Sequence, residues 1–289
     1  MLDGDWVTFD FDYRLDLKAL VPHIIAIESY KEAAYARILP HRWLGASTEA
    51  PGTSAVQPPQ ANQATTAEAF EIKNAAAAAA RAWAKQRFFP GSAALSLDDL
   101  LTMHRMISDK STVDYNRPGT LRNLPVQVGR VEVGGIHMGA PVSKLPLLMD
   151  QYIEFINSKR LTSLSPVVHA LLGHFFFDTL HPFDDGNGRM SRLVAASILF
   201  QHGYNVHGGY GLSNYFYQHE IEYHTLLHQA WRCCPFDLTP FMAFGMEGLV
   251  VELKSINSFI KMKLDRIVDQ EMVTSSARRK MGWRRGQWV

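Results

Sequence analysis

The chain has 289 residues, of which 47 % are hydrophobic and 20 % charged, with a net charge near +1. That length suits one large domain or two small ones with a sizeable core. The charge balance gives no pull toward nucleic acid or an anionic membrane, and no apolar run reaches the roughly 20 residues a bilayer span needs.

The first residues, MLDGDWVTFDFDYRLD, are acidic and aromatic without a signal-peptide pattern, so the expected setting is the cytoplasm. Leu15 to Arg37 places Leu20, Ile24, Ile27, Ala33 and Ala34 at helical spacing, and Pro40 ends it. Residues 45–66 are rich in Pro, Gly, Ala, Gln and Thr, the composition of a loop or linker. A helical pattern resumes at Glu68 and runs through the alanine row Ala75 to Ala80 to about Arg87, with Phe70, Ile72, Trp83 and Phe88 available to pack it. Leu97 to Ile107 reads as a helix with Ser96 and Asp98 as start signals.

The period then changes. Residues 121–138 are valine-rich and roughly alternating, interrupted by Gly129 and Gly134-Gly135, which predicts a short hairpin. Leu145 to Ile156 is helical again. Ser165-Pro166, a serine cap followed by a first-turn proline, opens a helix that is apolar nearly all round and predicts the buried centre of a bundle. Two or three more helices follow to about residue 272. The adjacent Cys233 and Cys234 suit packed thiols in a reducing compartment better than a disulfide or a metal site. The tail holds Arg278, Arg279, Lys280, Arg284 and Arg285 with Trp283 and Trp288. Such a run can touch a phosphate backbone but is more often solvated, so neither nucleic acid nor membrane is expected as a partner. The fold class is all-α, a helical bundle with one small β-hairpin. The expected organisation is residues 1–64 as an N-terminal helical region with linker, 65–260 as the catalytic domain and 261–289 as a helix end with basic tail.

One segment carries chemistry: His181-Pro-Phe-Asp-Asp-Gly-Asn-Gly-Arg-Met-Ser-Arg192, between two helices. Gly186, Asn187 and Gly188 make a tight turn whose backbone N–H groups can form an anion-binding nest, and the helix that follows adds its positive N-terminal end. Arg189 and Arg192, three apart, share one face of that helix. Together they call for a polyanion, and a di- or triphosphate fits. Asp185 at the edge can hold Mg²⁺. His181 can take a proton from an attacking hydroxyl. Pro182 and Phe183 read as a lock on the loop, with the ring buried beneath it. Singly, each of these features is more often structural than functional; their order and spacing carry the reading.

His181 to Arg192 matches the Fic family signature H-x-F-x-[DE]-G-N-G-R-x-x-R at every specified position. The resemblance extends over roughly residues 65–260, through Pro118-Gly119-Thr120-Leu121-Arg122 and the following hairpin, Ala140-Pro141, and Asn214 to Leu227 with Tyr223. It implies a Fic-type helical bundle whose hairpin is a flap, and a protein adenylyltransferase that uses ATP and Mg²⁺. His181 would then be the general base toward a Tyr, Thr or Ser hydroxyl of a target protein. Asp185 would hold Mg²⁺ against the α- and β-phosphates, and Gly186, Asn187 and Gly188 would cradle the phosphates through backbone N–H groups and the Asn amide. Arg189 would clamp the β-phosphate and Arg192 the γ-phosphate. Tyr223 would stand in the helix behind the nucleotide. The flap would grip the target by strand addition, with Val126 and Val128 either contacting it or packing under the hairpin. Relatives often form homodimers.

Many relatives carry an inhibitory helix, [ST]-x-x-x-E-[GN], whose glutamate pairs with the second motif arginine, and no stretch here matches it. At the nearest candidate, Thr53 to Pro58, Gln57 stands in the glutamate position, and a neutral amide forms no charge-assisted pair with Arg192. Glu28 and Glu32 remain as other N-terminal candidates. The same fold can also transfer UMP, phosphocholine or phosphate, or remove AMP, and a non-catalytic nucleotide sensor is a different class of answer. The intact Arg192 and the histidine in register favour ATP and AMP transfer.

Overall fold

The computed structural model describes residue 9 and residues 11–38, 64–108, 116–129, 137–204, 212–233 and 235–280. Its centre is the helix with no polar face: α6 (Pro166–Leu180) buries every residue from Val167 to Leu180. The serine expected to cap it does not do so. Ser165 makes no side-chain capping bond; Pro166 supplies the helical φ, and the Ser165 carbonyl accepts the His169 N–H at 3.0 Å.

Around α6 pack α7 (Asn187–Gln201), α4 (Leu145–Ile156) and α10 (Thr239–Lys280). α2 (Ala64–Arg87) lies on α3 (Leu97–Ser108) and α7, where Ala80 and Ala84 are fully buried. α3 starts with a reciprocal cap. Ser96 Oγ accepts the Asp99 N–H at 3.1 Å, and the Asp99 carboxylate accepts the Ser96 N–H at 3.0 Å. Arg87 Nε and Nη2 also reach that carboxylate, at 2.9 and 3.0 Å, which ties the end of α2 to the start of α3.

The predicted hairpin is present as β2 (Gln127–Val128) antiparallel to β3 (His137–Met138), with Val128 opposite His137. His137 fixes it to the bundle: its ring stacks on Trp231 at 3.9 Å and its Nε2 lies 2.8 Å from the Thr179 carbonyl oxygen of α6. A short α5 (Lys159–Thr162) precedes α6. The stretch from Asn214 to Leu227 is two helices, α8 (Leu212–Gln218) and α9 (Glu220–Trp231), parted at His219.

Of the acidic, aromatic N-terminal segment, the described residues Phe9, Phe11 and Tyr13 pack into the core. β1 (Tyr13–Arg14) runs parallel to β4 (Phe236–Asp237). Ahead of it Phe11, 3 % exposed, stacks on Phe155 at 5.0 Å and meets Phe176 of α6 at 5.3 Å. α1 (Leu17–Ile38) then packs along α10, burying Leu20, Ile27 and Ala34. The helical end α10 runs unbroken through residues 260 and 261. Among the described residues no helix is long and apolar enough to cross a membrane.

Candidate active site

His181 ends α6 in the left-handed conformation, φ 50° and ψ 60°, which for a residue other than glycine carries a strain of about 1–3 kcal/mol. Its N–H donates to the Phe177 carbonyl at 3.0 Å, and its own carbonyl accepts Arg122 Nε at 2.7 Å. Nδ1 lies 3.2 Å from the Asp178 carbonyl oxygen. A carbonyl only accepts, so Nδ1 carries the hydrogen and Nε2 keeps the lone pair a base requires. Burial, joined by the nearby Arg122 cation, lowers the imidazole pKa to about 4, so the ring is neutral at pH 7.

The loop that follows is locked from within. Phe183 is fully buried, and its backbone N–H and carbonyl both bond the Asn187 side chain, at 2.9 and 2.8 Å. The His104 ring of α3 stacks on Phe183 at 3.7 Å and nearly parallel. Its Nδ1 accepts the Gly119 N–H at 3.0 Å, so Nε2 donates to the Asp185 carbonyl at 3.0 Å. Burial above all holds His104 near a pKa of about 4 and therefore neutral.

α7 begins at Gly186, φ 83°, with no side chain capping it. The left-handed φ requires glycine there, and a Cβ would also meet Arg189 Nη2 and Ile107 Cδ1 at 3.2 Å. The first helical bond is Met190 N–H to Gly186 O at 2.9 Å, so the N–H groups of the turn before it are free of helical partners. Two guanidiniums flank this nest. Arg189 is held by the Ile107 carbonyl at 2.8 Å and Asp185 Oδ2 at 3.1 Å. Arg192 Nη1 lies 3.5 Å from where a Gly188 side chain would begin. Beneath it, the buried Asp178 carboxyl is raised to about pKa 6 by burial, against the opposing pull of Arg192. The arrangement is a polyanion cradle with a neutral imidazole at one edge.

The structure therefore brings His181, Asp185, Gly186, Asn187, Gly188, Arg189 and Arg192 around one loop. Several of the expected positions also have protein contacts of their own. The Asn187 amide braces Phe183, its Oδ1 accepting the Phe183 N–H and its Nδ2 donating to the Phe183 carbonyl. Tyr223 is buried and stacked on Phe216 at 4.8 Å, with its hydroxyl 2.9 Å from His174 Nε2, in the floor beside Arg192. Val126 and Val128 are half-buried, Val128 against the core, and Gln127 between them is exposed. Val128 thus packs beneath the hairpin. Thr53 and Gln57 lie outside the described residues. Glu28 pairs with Lys31, which sits 4.0 Å over the Tyr204 ring, beyond the end of α7 opposite to Arg192.

The roles of four residues are not visible in the sequence, although Arg122 lies in the segment that resembles the flap. His104, Arg117, Arg122 and Asp178 reach the loop from elsewhere, Arg117 Nε bonding Asp184 Oδ2 at 3.1 Å. Only Asp178 left a signal, as a lone acid in an apolar helix. Among the described residues no three His, Cys, Asp or Glu side chains cluster as a metal site. Asp185, with a third of its side chain exposed, is a single oxygen donor. That suits a Mg²⁺ ion that takes most of its ligands from phosphates and water.

Residues 94–199 match the model of the Fic/DOC family. Over 110 residues the chain is 36 % identical to the protein adenylyltransferase Fic of Drosophila grimshawi, a stretch covering 38 % of this chain and 21 % of that protein. The same figures hold for the Drosophila melanogaster protein of that name; the chain thus spans about a fifth of the length of these curated relatives. Among solved structures, a Fic family protein from Desulfovibrio desulfuricans G20 aligns with TM-score 0.55 at 22 % identity, over 83 % of this chain and 64 % of that one. Fic-1 from C. elegans aligns with TM-score 0.57 at 18 % identity, over 86 % and 73 %. The fold is the Fic-type bundle.

Proposed function

We infer that the chain, whose residues 94–199 form a Fic/DOC-family domain, is a nucleotidyltransferase that moves AMP from ATP to a hydroxyl side chain of a target protein. The observation that carries this is the neutral His181 with Nε2 free at the edge of a nest flanked by two arginines. A binding module would need the cradle alone. The name shared by the fly relatives supports the same reaction.

The nest and the α7 N-terminus would hold the phosphates, with Arg189 on the β- and Arg192 on the γ-phosphate. Asp185 would hold Mg²⁺, which when bound would supply neutralisation of the phosphate charge. The target hydroxyl, brought in along β2–β3, loses its proton to His181 Nε2 as its oxygen attacks the α-phosphorus. The bond from that phosphorus to the bridging oxygen breaks, and pyrophosphate leaves on the side of the arginines. Since little covalent work falls to the protein, the rate depends on positioning and on charge already in place. Tyr, Thr and Ser are all acceptable acceptors in this scheme.

The test is covalent labelling of lysate proteins and of the chain itself with Mg²⁺ and ATP labelled at the α-phosphate, beside His181→Ala and γ-labelled ATP. Label from the α position alone, lost in His181→Ala, is expected. Label from the γ position would instead make it a kinase-like transfer, and ATP binding without label from either would move the reading to another donor.

A further inference from the structure

Arg122 is a charged side chain that is 3 % exposed, yet no carboxylate lies within salt-bridge distance of it among the described residues. Every hydrogen bond of its guanidinium goes to a backbone carbonyl, and those carbonyls come from three separate stretches. Nε donates to His181 at 2.7 Å, Nη1 to Leu124 at 2.9 Å just before β2, and Nη2 to Ala140 just after β3. Its own N–H adds a bond to the Pro182 carbonyl at 3.0 Å. Both roots of the hairpin and the backbone of the base are therefore held by one rigid, planar group, whose donors have fixed relative directions.

A second contact joins the same parts. Gly139, directly after β3, donates to Val126 at 3.1 Å. A Cβ there would meet Arg122 Nη2 and Val126 Cγ2 at 3.0 Å and His181 Cβ at 3.2 Å. Gly139 is not among the glycines with positive φ, so it is required for closeness and not for backbone freedom. With no side chain at 139, the hairpin root rests against the base. Ala140 N–H then bonds Leu180 at 3.1 Å, one residue ahead of His181.

We propose that Arg122 and Gly139 are positioning residues that couple the flap to His181, so that the register in which a target strand docks on β2–β3 is transmitted to the orientation of the imidazole. The left-handed φ of His181 gives this coupling its purpose, since a strained backbone keeps its conformation only where surroundings over-determine it. Arg122 supplies the bond that does so on the carbonyl side. Neither residue touches the nest, so their loss should act on the base and leave the nucleotide bound.

The proposal rests on the AMP-transfer reading, and its test uses one readout that does not. In ¹⁵N-histidine-labelled protein, the His181 ring resonances are identified by their loss in His181→Ala, then followed in Arg122→Met, Arg122→Lys and Gly139→Ala. Mg-ATP affinity and the kcat of AMP transfer are measured on the same samples. Arg122→Met and Gly139→Ala should shift the His181 resonances and lower kcat by on the order of tenfold to a hundredfold, with ATP affinity changed by less than about twofold. Arg122→Lys, which keeps the charge but not the fork, should recover part of the rate. Unmoved His181 resonances in Gly139→Ala overturn the coupling, as does a loss of ATP affinity that parallels kcat. If Arg122→Met does not fold, Gly139→Ala still decides. A wild-type chain that transfers no AMP would remove the functional reading while the resonances still judge the coupling.

Discussion

At His181, a single bond fixes the chemistry. With Nδ1 against the Asp178 carbonyl the tautomer is set, and burial pushes the pKa down to about 4. A base of that strength is weak in driving force but fully available across the physiological range, whereas an ordinary histidine near pKa 6.5 would be half-protonated in mildly acidic conditions. In the proposed reaction the ring acts as a base only when neutral, so the rate should fall as pH drops through about 4 and be flat with respect to this group above pH 5.5. Titration of the His181 ring by NMR, alongside kcat at saturating Mg-ATP, checks it. A midpoint near 6.5 would show the ring to be more solvated than its packing indicates. The motif itself was legible because its parts are neighbours in sequence and the turn they form is local. His104 and Arg122 were not, because their roles depend on partners 81 and 59 residues away. The bracing role of the Asn187 side chain is hidden for a different reason. Its sequence neighbours suggested a phosphate, but burying the Phe183 ring leaves two backbone groups to satisfy, and the amide four residues on satisfies both.

Among elements, α6 was the most transparent: a helix without a polar face has to be central. The hairpin showed through its valine alternation. The N-terminal aromatics did not show, since Phe9, Phe11 and Tyr13 precede a helix and give no period of their own. Their place is set by α6, where Phe9, Phe11 and Tyr13 all meet the Phe176 ring. Phe11 meets that surface from a left-handed backbone, φ 59°. Phe11→Ala should lower the unfolding free energy by about 3 kcal/mol or more, the usual range for removing a buried phenylalanine. Urea unfolding measures it. A loss below about 1 kcal/mol would mean that the segment lies on the core without holding it.

For the whole molecule, histidine burial makes a statement about acid stability. His104 and His169 are held near pKa 4, and His137 and His174 near 3, in each case chiefly by burial. The folded chain keeps these rings neutral, whereas the unfolded chain protonates them from about pH 6.5 downward. The unfolded state then binds more protons, so stability is complete above pH 6.5 and declines as pH falls toward 4, by roughly 1.4 kcal/mol per pH unit for each ring. Asp178, raised to about 6, and Glu252, also raised by burial, act in the opposite sense, but His181, held near 4, adds a fifth ring to the other side. The unfolding free energy at pH 5 should therefore lie several kcal/mol below that at pH 7, with an unchanged denaturant slope. Equal values at the two pH levels would place water at these rings.

The pairing of β1 with β4 also sets an order of events in time. The Asp16 N–H is bound by Thr239 Oγ1, 223 residues further along, and Phe11 and Phe236 close the same aromatic cluster around Phe176 from opposite ends of the described chain. During synthesis the entire His181–Arg192 loop leaves the ribosome before Phe236 has been made. Until then α6 lacks one wall, and the N-terminal segment has no strand to pair with. Closing so long a loop is slow, so the signature is translated well before it is assembled.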